Sequence, residues 1–513
     1  MKAFLMFKDR DFDLKHPLPA NAAALIQDLE LETLFGAMAA GDGFIHDVSK
    51  VAVLTSVHSS LEEIAYRQQV MVDSLRNSDV VRGIYQLAGE AIEREKKAYF
   101  GLFRDSPDTV LHRSIEVLSM FIEVLRKLRQ LAESSQDSFR SDGFRTLFAM
   151  LQRELSDDYF EAISQHLQQL KFPEGVLVSA RLGAGNKGIG YTLREPPVDR
   201  RIWPLRLLPQ RVEGYTLHLH PRDEAGGQAL SALRNRGLSL AAQALGQSVD
   251  HILSFFHMLQ AEVAFYIGGV NLHEKLSALG LPTVIPRPGG LSERRFDCQE
   301  LFDVCLAISM NKLIVGNDVE ANEKTLIIVT GANQGGKSTF LRSVGLAQLM
   351  MQSGLFVGAV EFEANIVRGV FTHYKREEDN SMTSGKFDEE LRRMSALADM
   401  LNPNAMILFN ESFASTNERE GSEIAQQIVS ALLDSGMKVI FVTHLYQFAH
   451  AFDEMQTDTA LFLRAERKSD GTRTFKLVEG KPLDTSFGED LYGKISGEEV
   501  GRSRPPVRLR VVA

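Results

Sequence analysis

The residues best equipped for chemistry lie between Thr325 and Ser343. Gly331-Ala332-Asn333-Gln334-Gly335-Gly336-Lys337-Ser338 matches G-x-x-x-x-G-K-[ST]. Leu326 to Val329 ahead of it is a short apolar, β-branched run that reads as a buried strand, and Thr339-Phe340-Leu341 opens a helical periodicity. In that setting glycines let successive backbone N–H groups turn inward on a phosphate, and the helix N-terminus adds the positive end of its dipole. Lys337 is expected to reach the β- and γ-phosphates, with Thr339 in the same first turn, and Ser338 to place its hydroxyl on Mg²⁺. These residues imply a site for a nucleoside triphosphate.

Two further apolar runs end in chemistry. Met406-Ile407-Leu408-Phe409 runs into Asn410-Glu411, and Val439-Ile440-Phe441-Val442 runs into Thr443-His444. The first is expected beside the phosphate-loop strand, where the residue at its tip orders the Mg²⁺ water shell and Glu411 polarises the attacking water. His444 is expected near the γ-phosphate, able to report its presence. A polar loop from Ser412 to Gly421 leads into a helix. One such strand end is weak; convergence of all of them on one phosphate is specific.

The elements that must position these groups can be read more coarsely. At 513 residues, 44% hydrophobic and 24% charged, the chain has room for several cored domains. Its net charge of −10 provides no general basic field, so any nucleic-acid contact must be local. Cys298 and Cys305 form no C-x-x-C and read as small core residues in a reducing, cytoplasmic setting. No apolar run suggests a membrane span. Residues from about 20 to 170 read as helices, with Ile84, Leu87, Ala88, Ala91 and Ile92 on one stripe. Ser106-Pro107 opens a second stripe of Leu111, Ile115, Leu118, Ile122 and Leu125.

Between about 172 and 222 the texture becomes strand and turn: Val176 to Val178, a glycine-rich turn to Gly188, then Ile189 to Leu193, and Tyr215 to His220. Arg200, Arg201, Arg206 and Arg211 make this insert basic, suited either to phosphate backbone or to a solvated surface. His218 and His220 share a strand face but have no third metal ligand at sensible spacing. Helix returns with Val249, Ile252, Phe256, Leu259 and Val263, and the Pro/Gly-rich stretch from Leu281 to Gly290 reads as a boundary loop. Strands alternating with helices beyond it imply a parallel α/β sheet.

TGANQGGKST, the strand ending in Glu411 with its Ser/Thr-rich loop and Gly421, and VTHL together resemble the ATPase domain of the MutS family of DNA mismatch-repair clamps. His251 to His273 is similar to that family's returning lever helix, Ser486-Phe487-Gly488 to the Ser-Tyr-Gly after its ATPase core, and Arg67-Gln68 and Gly188 to Tyr191 to its core and clamp. The resemblance implies a multidomain chain. An α-helical core/lever region (1–171) carries a small β-rich clamp-like insert (172–225) and returning lever helices (226–280). An α/β P-loop (ABC-type) ATPase domain (281–500) and a tail (501–513) follow. It implies ATP and Mg²⁺ as ligands, a homodimer that closes on ATP, and DNA as partner, with no room ahead of the lever for a mismatch-reading domain.

The departures are specific. Ala332 and Gln334 replace the family's Pro and Met, Leu313 stands where it stacks an aromatic on adenine, and Asn410 replaces the Asp beside Mg²⁺. The family's partner-facing Ser-Thr pair aligns with Gly385-Lys386, making Ser384 and Gly385 its nearest substitutes. An ATPase acting on RNA or the ribosome, or an ATP-binding scaffold that does not hydrolyse, are the competing expectations.

Overall fold

Helices begin where the sequence places their caps. Ser106 accepts a hydrogen bond from the Thr109 N–H at the head of Pro107–Ser135, with proline in the first turn. Ser60 and Glu63 form a reciprocal capping box opening Leu61–Arg76. The computed structural model describes residues 1–98, 106–173, 175–194, 218–376, 385–468 and 472–482. Contacts divide the chain into two units, each gathered from separated stretches.

The first unit contains Met1–Phe4, Asp79–Arg140 and Phe144–Val263. Leu111, Ile115, Leu118, Ile122 and Leu125 are all buried, as their spacing implies, and Phe121 packs on Phe256 with ring centroids 5.4 Å apart. Strands β1 (Val178–Leu182) and β2 (Gly188–Leu193) pair antiparallel as a hairpin. Val176 and Leu177, expected within the first strand, precede it. The run from Tyr215 lies outside the described residues as far as Leu217, and His218 to His220 form no strand. Among the described residues no group of His, Cys, Asp and Glu could hold a metal ion. The basic residues Arg200, Arg201, Arg206 and Arg211 also lie outside the described residues, as do Ser486 to Gly488.

A single helix runs Glu224–Ala278; up to Val263 it belongs to the first unit and from Ala264 to the second. By length and composition it is apolar enough to cross a membrane, which the sequence reading did not foresee. Phe255, Phe256, Leu259, Val263, Phe265 and Tyr266 are nevertheless buried in protein, the pattern of a core helix.

The second unit joins Leu5–Ser78, Ser141–Gly143 and the chain from Ala264. Its strands are β3 (Arg287–Gly289), β4 (Phe296–Leu301), β5 (Asn317–Glu320), β6 (Leu326–Gly331), β7 (Glu361–Asn365), β8 (Val370–Tyr374), β9 (Met406–Asn410), β10 (Lys438–Val442), β11 (Ala460–Arg467) and β12 (Arg473–Glu479). The larger sheet has the order β12-β11-β6-β10-β9-β8. It is parallel except where β11 meets β12. The phosphate-loop strand therefore lies between β11 and β10, and β9 with Asn410 lies one place beyond β10, correcting the expected adjacency. Both strands are apolar on both faces, so periodicity fixes that they are central but not which one is inserted.

A second sheet, β3-β7-β4-β5, stands beside it. The Pro/Gly-rich segment read as a loop contributes β3, where Pro288 is tolerated because the strand is an edge. Cys298 and Cys305 are buried, as expected of small core residues.

The larger sheet is covered on both faces. On one, Leu326, Ile328, Ile407, Phe409, Val439 and Phe441 form a core with Val429, Leu432, Phe448 and Phe452. On the other lies the phosphate-loop helix, Lys337–Ser353, where a β-carbon on Gly345 would stand 2.7 Å from Leu408. Glycine there permits the helix its close approach. The helix ends at Gly354 in a left-handed cap. Fully buried Arg67 donates to the Gln352 carbonyl at 2.9 Å, and the Gln352 amide donates to the carbonyls of Val57 (2.8 Å) and Val367 (3.0 Å). The far end of the helix is thus fastened, which fixes where its N-terminus presents the loop.

Candidate nucleotide site

The loop leaves β6 with Gly331 at φ +102 and enters its helix through Gly336 at φ +91, while Gln334 is left-handed at φ +58. Ala332 is buried beneath it and Asn333 and Gln334 are exposed. A β-carbon on Gly335 would stand 2.6 Å from that of Ala465 and 2.9 Å from the Ala332 carbonyl oxygen, so the loop is pressed between its own backbone and β11. Lys337 is buried and donates from Nζ to the carbonyls of Gly331 and Ala332, both at 3.0 Å. Burial lowers its ammonium to about 8, against a smaller opposing pull from Glu411.

The strand ends converge. His444 Nε2 stands 3.4 Å from Lys337 Nζ and 3.2 Å from Glu411 Oε1. That imidazole contact, ahead of the ammonium groups of Lys337 and Lys375, holds the Glu411 carboxyl below the usual range despite burial. The Ser338 hydroxyl donates to Asn410 Oδ1 at 2.8 Å. Having β10 between β6 and β9 puts His444 between the loop lysine and the carboxylate, which a direct β6–β9 pairing would not. Thr339 follows in the first turn, partly buried.

Glu411 is itself left-handed at φ +53, and Phe413 at φ +63, a conformation that must be held by its surroundings. The Glu411 N–H donates to the Val442 carbonyl at 2.9 Å, and buried Glu390 accepts the Phe413 N–H at 2.7 Å. His373, stacked on Phe413 at 17°, is buried and lowered to about 4. Its Nε2 lies 3.2 Å from the Glu390 carbonyl and its Nδ1 2.8 Å from the Ser412 hydroxyl, which itself donates to the His373 carbonyl at 2.5 Å.

Sequence reasoning missed Glu390, His373 and Lys375. The apolar start of β8 was the available signal for the last two. Glu390 lies on the helix Lys386–Ala398, whose N-cap is Gly385; Gly385 is exposed, and Ser384 lies outside the described residues. Gly385 is not among the described contacts of Lys337.

Residues 59–279 match the MutS2 N-terminal domain and residues 327–495 match MutS domain V. The DNA mismatch repair protein MutS of Thermotoga maritima is 33% identical over 187 residues, covering 36% of this chain and 23% of that protein. The Endonuclease MutS2 of Lacticaseibacillus paracasei is 29% identical over 405 residues, covering 74% of this chain and 48% of that protein. The Lacticaseibacillus casei MutS2 is likewise 29% identical, over 409 residues. The chain thus spans about half the length of the MutS2 relatives and 23% of the MutS relative. The domain V match covers β6 from Ile327 onward, the whole phosphate loop and the ends of β9 and β10. The chain belongs to the MutS family.

Proposed function

We propose that the protein is an ATP-dependent DNA-binding ATPase whose nucleotide site is built from Gly331, Ala332, Asn333, Gln334, Gly335, Gly336, Lys337, Ser338 and Thr339. The observation that carries this reading is the contact chain Lys337–His444–Glu411 across the ends of β6, β10 and β9, at 3.4 and 3.2 Å. The loop N–H groups and Lys337 bind the β- and γ-phosphates. Glu411, kept ionised by its imidazole neighbour, accepts a proton from the attacking water. His444, between that carboxylate and Lys337, senses the γ-phosphate.

The hydroxyl of Ser338 and the amide oxygen of Asn410 suit Mg²⁺, which prefers hard oxygen donors and retained water. When bound, Mg²⁺ neutralises charge on the phosphate oxygens. Asn410 brings no negative charge, so metal affinity and turnover are low. Ser384 and Gly385 act on the ATP of a second copy in a homodimer, whose closure moves the helical levers on duplex or branched DNA. In this reading the segments 1–171, 172–225, 226–280 and 281–500 serve as core, clamp-like insert, returning lever and ATPase domain. Arg200, Arg201, Arg206 and Arg211 supply phosphate contacts; replacing them with alanine weakens DNA binding irrespective of sequence and flattens its salt dependence by roughly one unit of slope per contact.

ATP turnover with and without DNA, on wild type and Glu411→Gln, tests the enzyme reading. Slow hydrolysis that the variant loses is expected. Equal rates would favour the reading that Asn410 supports, an ATP-binding scaffold that does not hydrolyse.

A further inference from the structure

Arg67, on the helix Leu61–Arg76, is fully buried, yet every group it bonds is neutral. It donates to the Gln352 carbonyl at 2.9 Å and to the hydroxyls of Ser59 at 2.5 Å and Ser56 at 3.5 Å. Among the described residues its Nε has no acceptor. Glu63, the carboxylate that acts on it through space, is itself engaged by Arg10 and by the Ser60 N–H at 3.0 Å. Burial lowers the Arg67 guanidinium to about 10, against the weaker pull of Tyr266 and Glu63. A buried cation is ordinarily matched by an anion with good geometry, and a donor left over in the interior calls for an explanation.

The explanation lies in what Arg67 lines. A cavity of about 370 Å³ within the second unit has Arg67, Ser56 and Ser59 in its wall, a size suited to a small molecule. The Ser56 hydroxyl is committed to the Ala52 carbonyl at 2.5 Å. That of Ser59 accepts from Arg67 and keeps its own proton to donate. Met6, Phe7 and Phe12 supply an apolar wall. The Phe7 ring centre stands 3.9 Å from the Arg10 Cζ and 5.4 Å from that of Arg67, so apolar surface and guanidinium adjoin. Asp11, Asp13 and Glu63 also line the space, and these carboxylates outnumber its guanidinium groups three to two. That balance disfavours a dianion such as phosphate, whereas a single carboxylate answers Arg67. None of the lining residues belongs to the phosphate loop.

We propose that this cavity binds a small monocarboxylate with an apolar body. The carboxylate sets against Arg67 and the Ser59 hydroxyl, and the body against Met6, Phe7 and Phe12. Guanidinium is the side chain best matched to a carboxylate's two oxygens. The inference does not depend on the nucleotide reading.

NMR of isotope-labelled methionine methyls in the full chain tests this, with the Met6 signal assigned through Met6→Leu. Benzoate is the probe, benzyl alcohol its uncharged counterpart and inorganic phosphate the dianion. Benzoate should shift the Met6 signal saturably, with Kd on the order of 1 mM or tighter. Benzyl alcohol should bind at least roughly tenfold more weakly, lacking the charge-assisted contact, and phosphate should leave the signal in place. Arg67→Gln, which keeps amide N–H groups for Ser59 and the Gln352 carbonyl, should weaken benzoate by roughly tenfold to a hundredfold and leave benzyl alcohol unchanged. If that variant does not fold, His58→Glu serves instead: His58 is exposed and lines the cavity, and a carboxylate there should weaken benzoate several-fold. No Met6 shift with benzoate, equal affinity for benzoate and benzyl alcohol, or undiminished benzoate affinity in the folded variant overturns the proposal. A Met6 shift by phosphate at benzoate's affinity overturns the choice of a monocarboxylate.

Discussion

Lys337 and Lys438 are chemically the same group at opposite ends of the same sheet. Lys337 follows the end of β6 and Lys438 opens β10. Each is buried, and burial lowers each to about 8. Their company differs. Lys438 donates to the Arg295 carbonyl at 3.2 Å and to Asn365 Oδ1 at 3.3 Å, with its ammonium 5.1 Å from the Phe296 ring centre. No charged neighbour figures among the causes of its shift. Lys337 faces a glycine-rich loop, an imidazole and a carboxylate. A displaced amine therefore does not mark a site by itself; convergent groups of complementary chemistry do. Lys438 reads as a donor filling the base of the sheet.

The largest test of that contrast is a pair of substitutions. Lys337→Ala should weaken ATP binding by roughly a hundredfold or more, since charge-assisted contacts to phosphate are lost, while the thermal midpoint changes little. Lys438→Met, which keeps the aliphatic length, should leave ATP affinity unchanged. Equal damage from both, measured by calorimetry, would break the distinction. Next in size, Glu411→Gln should cut single-turnover hydrolysis by roughly 10²-fold or more while retaining ATP. Asn410→Asp should lower the Mg²⁺ concentration needed for half-maximal rate. A Mg²⁺ titration of rate against bound ATP separates these effects.

What could be read from the sequence was whatever neighbouring residues encode. The run into Gly331, the helix after Lys337, the cap at Ser106 and the acidic and imidazole ends of β9 and β10 are all local signals. The insertion of β10 is not, because strand order depends on pairings among distant segments. Nor is Glu390, which reaches Phe413 across an intervening helix end and strand. Ser384 and the four arginines of the basic insert stay at the level of sequence, outside the described residues.

The lysine contrast also predicts how ATP affinity responds to pH. With its ammonium lowered to about 8 in the nucleotide-free site, Lys337 loses its proton above that pH, whereas a bound polyphosphate favours the charged form. Binding should then take up a proton, and ATP affinity should fall by up to about tenfold per pH unit above 8. Titrations at pH 7 and 9 in buffers of different ionisation enthalpy measure the uptake; none at pH 9 would mean that Lys337 does not face phosphate. Lys438 should act on stability instead. Between about 8 and 10.5 the unfolded chain holds the proton that the folded chain has released, so its contribution raises stability with pH across that window. Lys438→Met should flatten this rise.

The smallest expected effect sharpens a second comparison, between His444 in the open site and His373 beneath the Glu411 loop. Burial, with the nearby Arg393 guanidinium adding to it, lowers His373 to about 4 from an ordinary 6.5. Between those values the unfolded chain binds a proton that the folded chain refuses. Stability should therefore fall as pH drops below 6.5, by about 1 kcal/mol at pH 5.5 from this group alone. Other buried groups titrate as well, so the informative quantity is the difference between wild type and His373→Gln. Urea midpoints at pH 7.0 and 5.5 should show a larger acid loss in wild type than in the variant. Hydrolysis carries the second readout. If His373 and Glu390 hold the left-handed turn at Glu411 and Phe413, Glu390→Ala should lower kcat several-fold with KM little changed, because the phosphate loop is untouched. A matching rise in KM would mean that the damage spreads to the loop, and that His373 and Glu390 support the sheet as a whole rather than the orientation of one carboxylate.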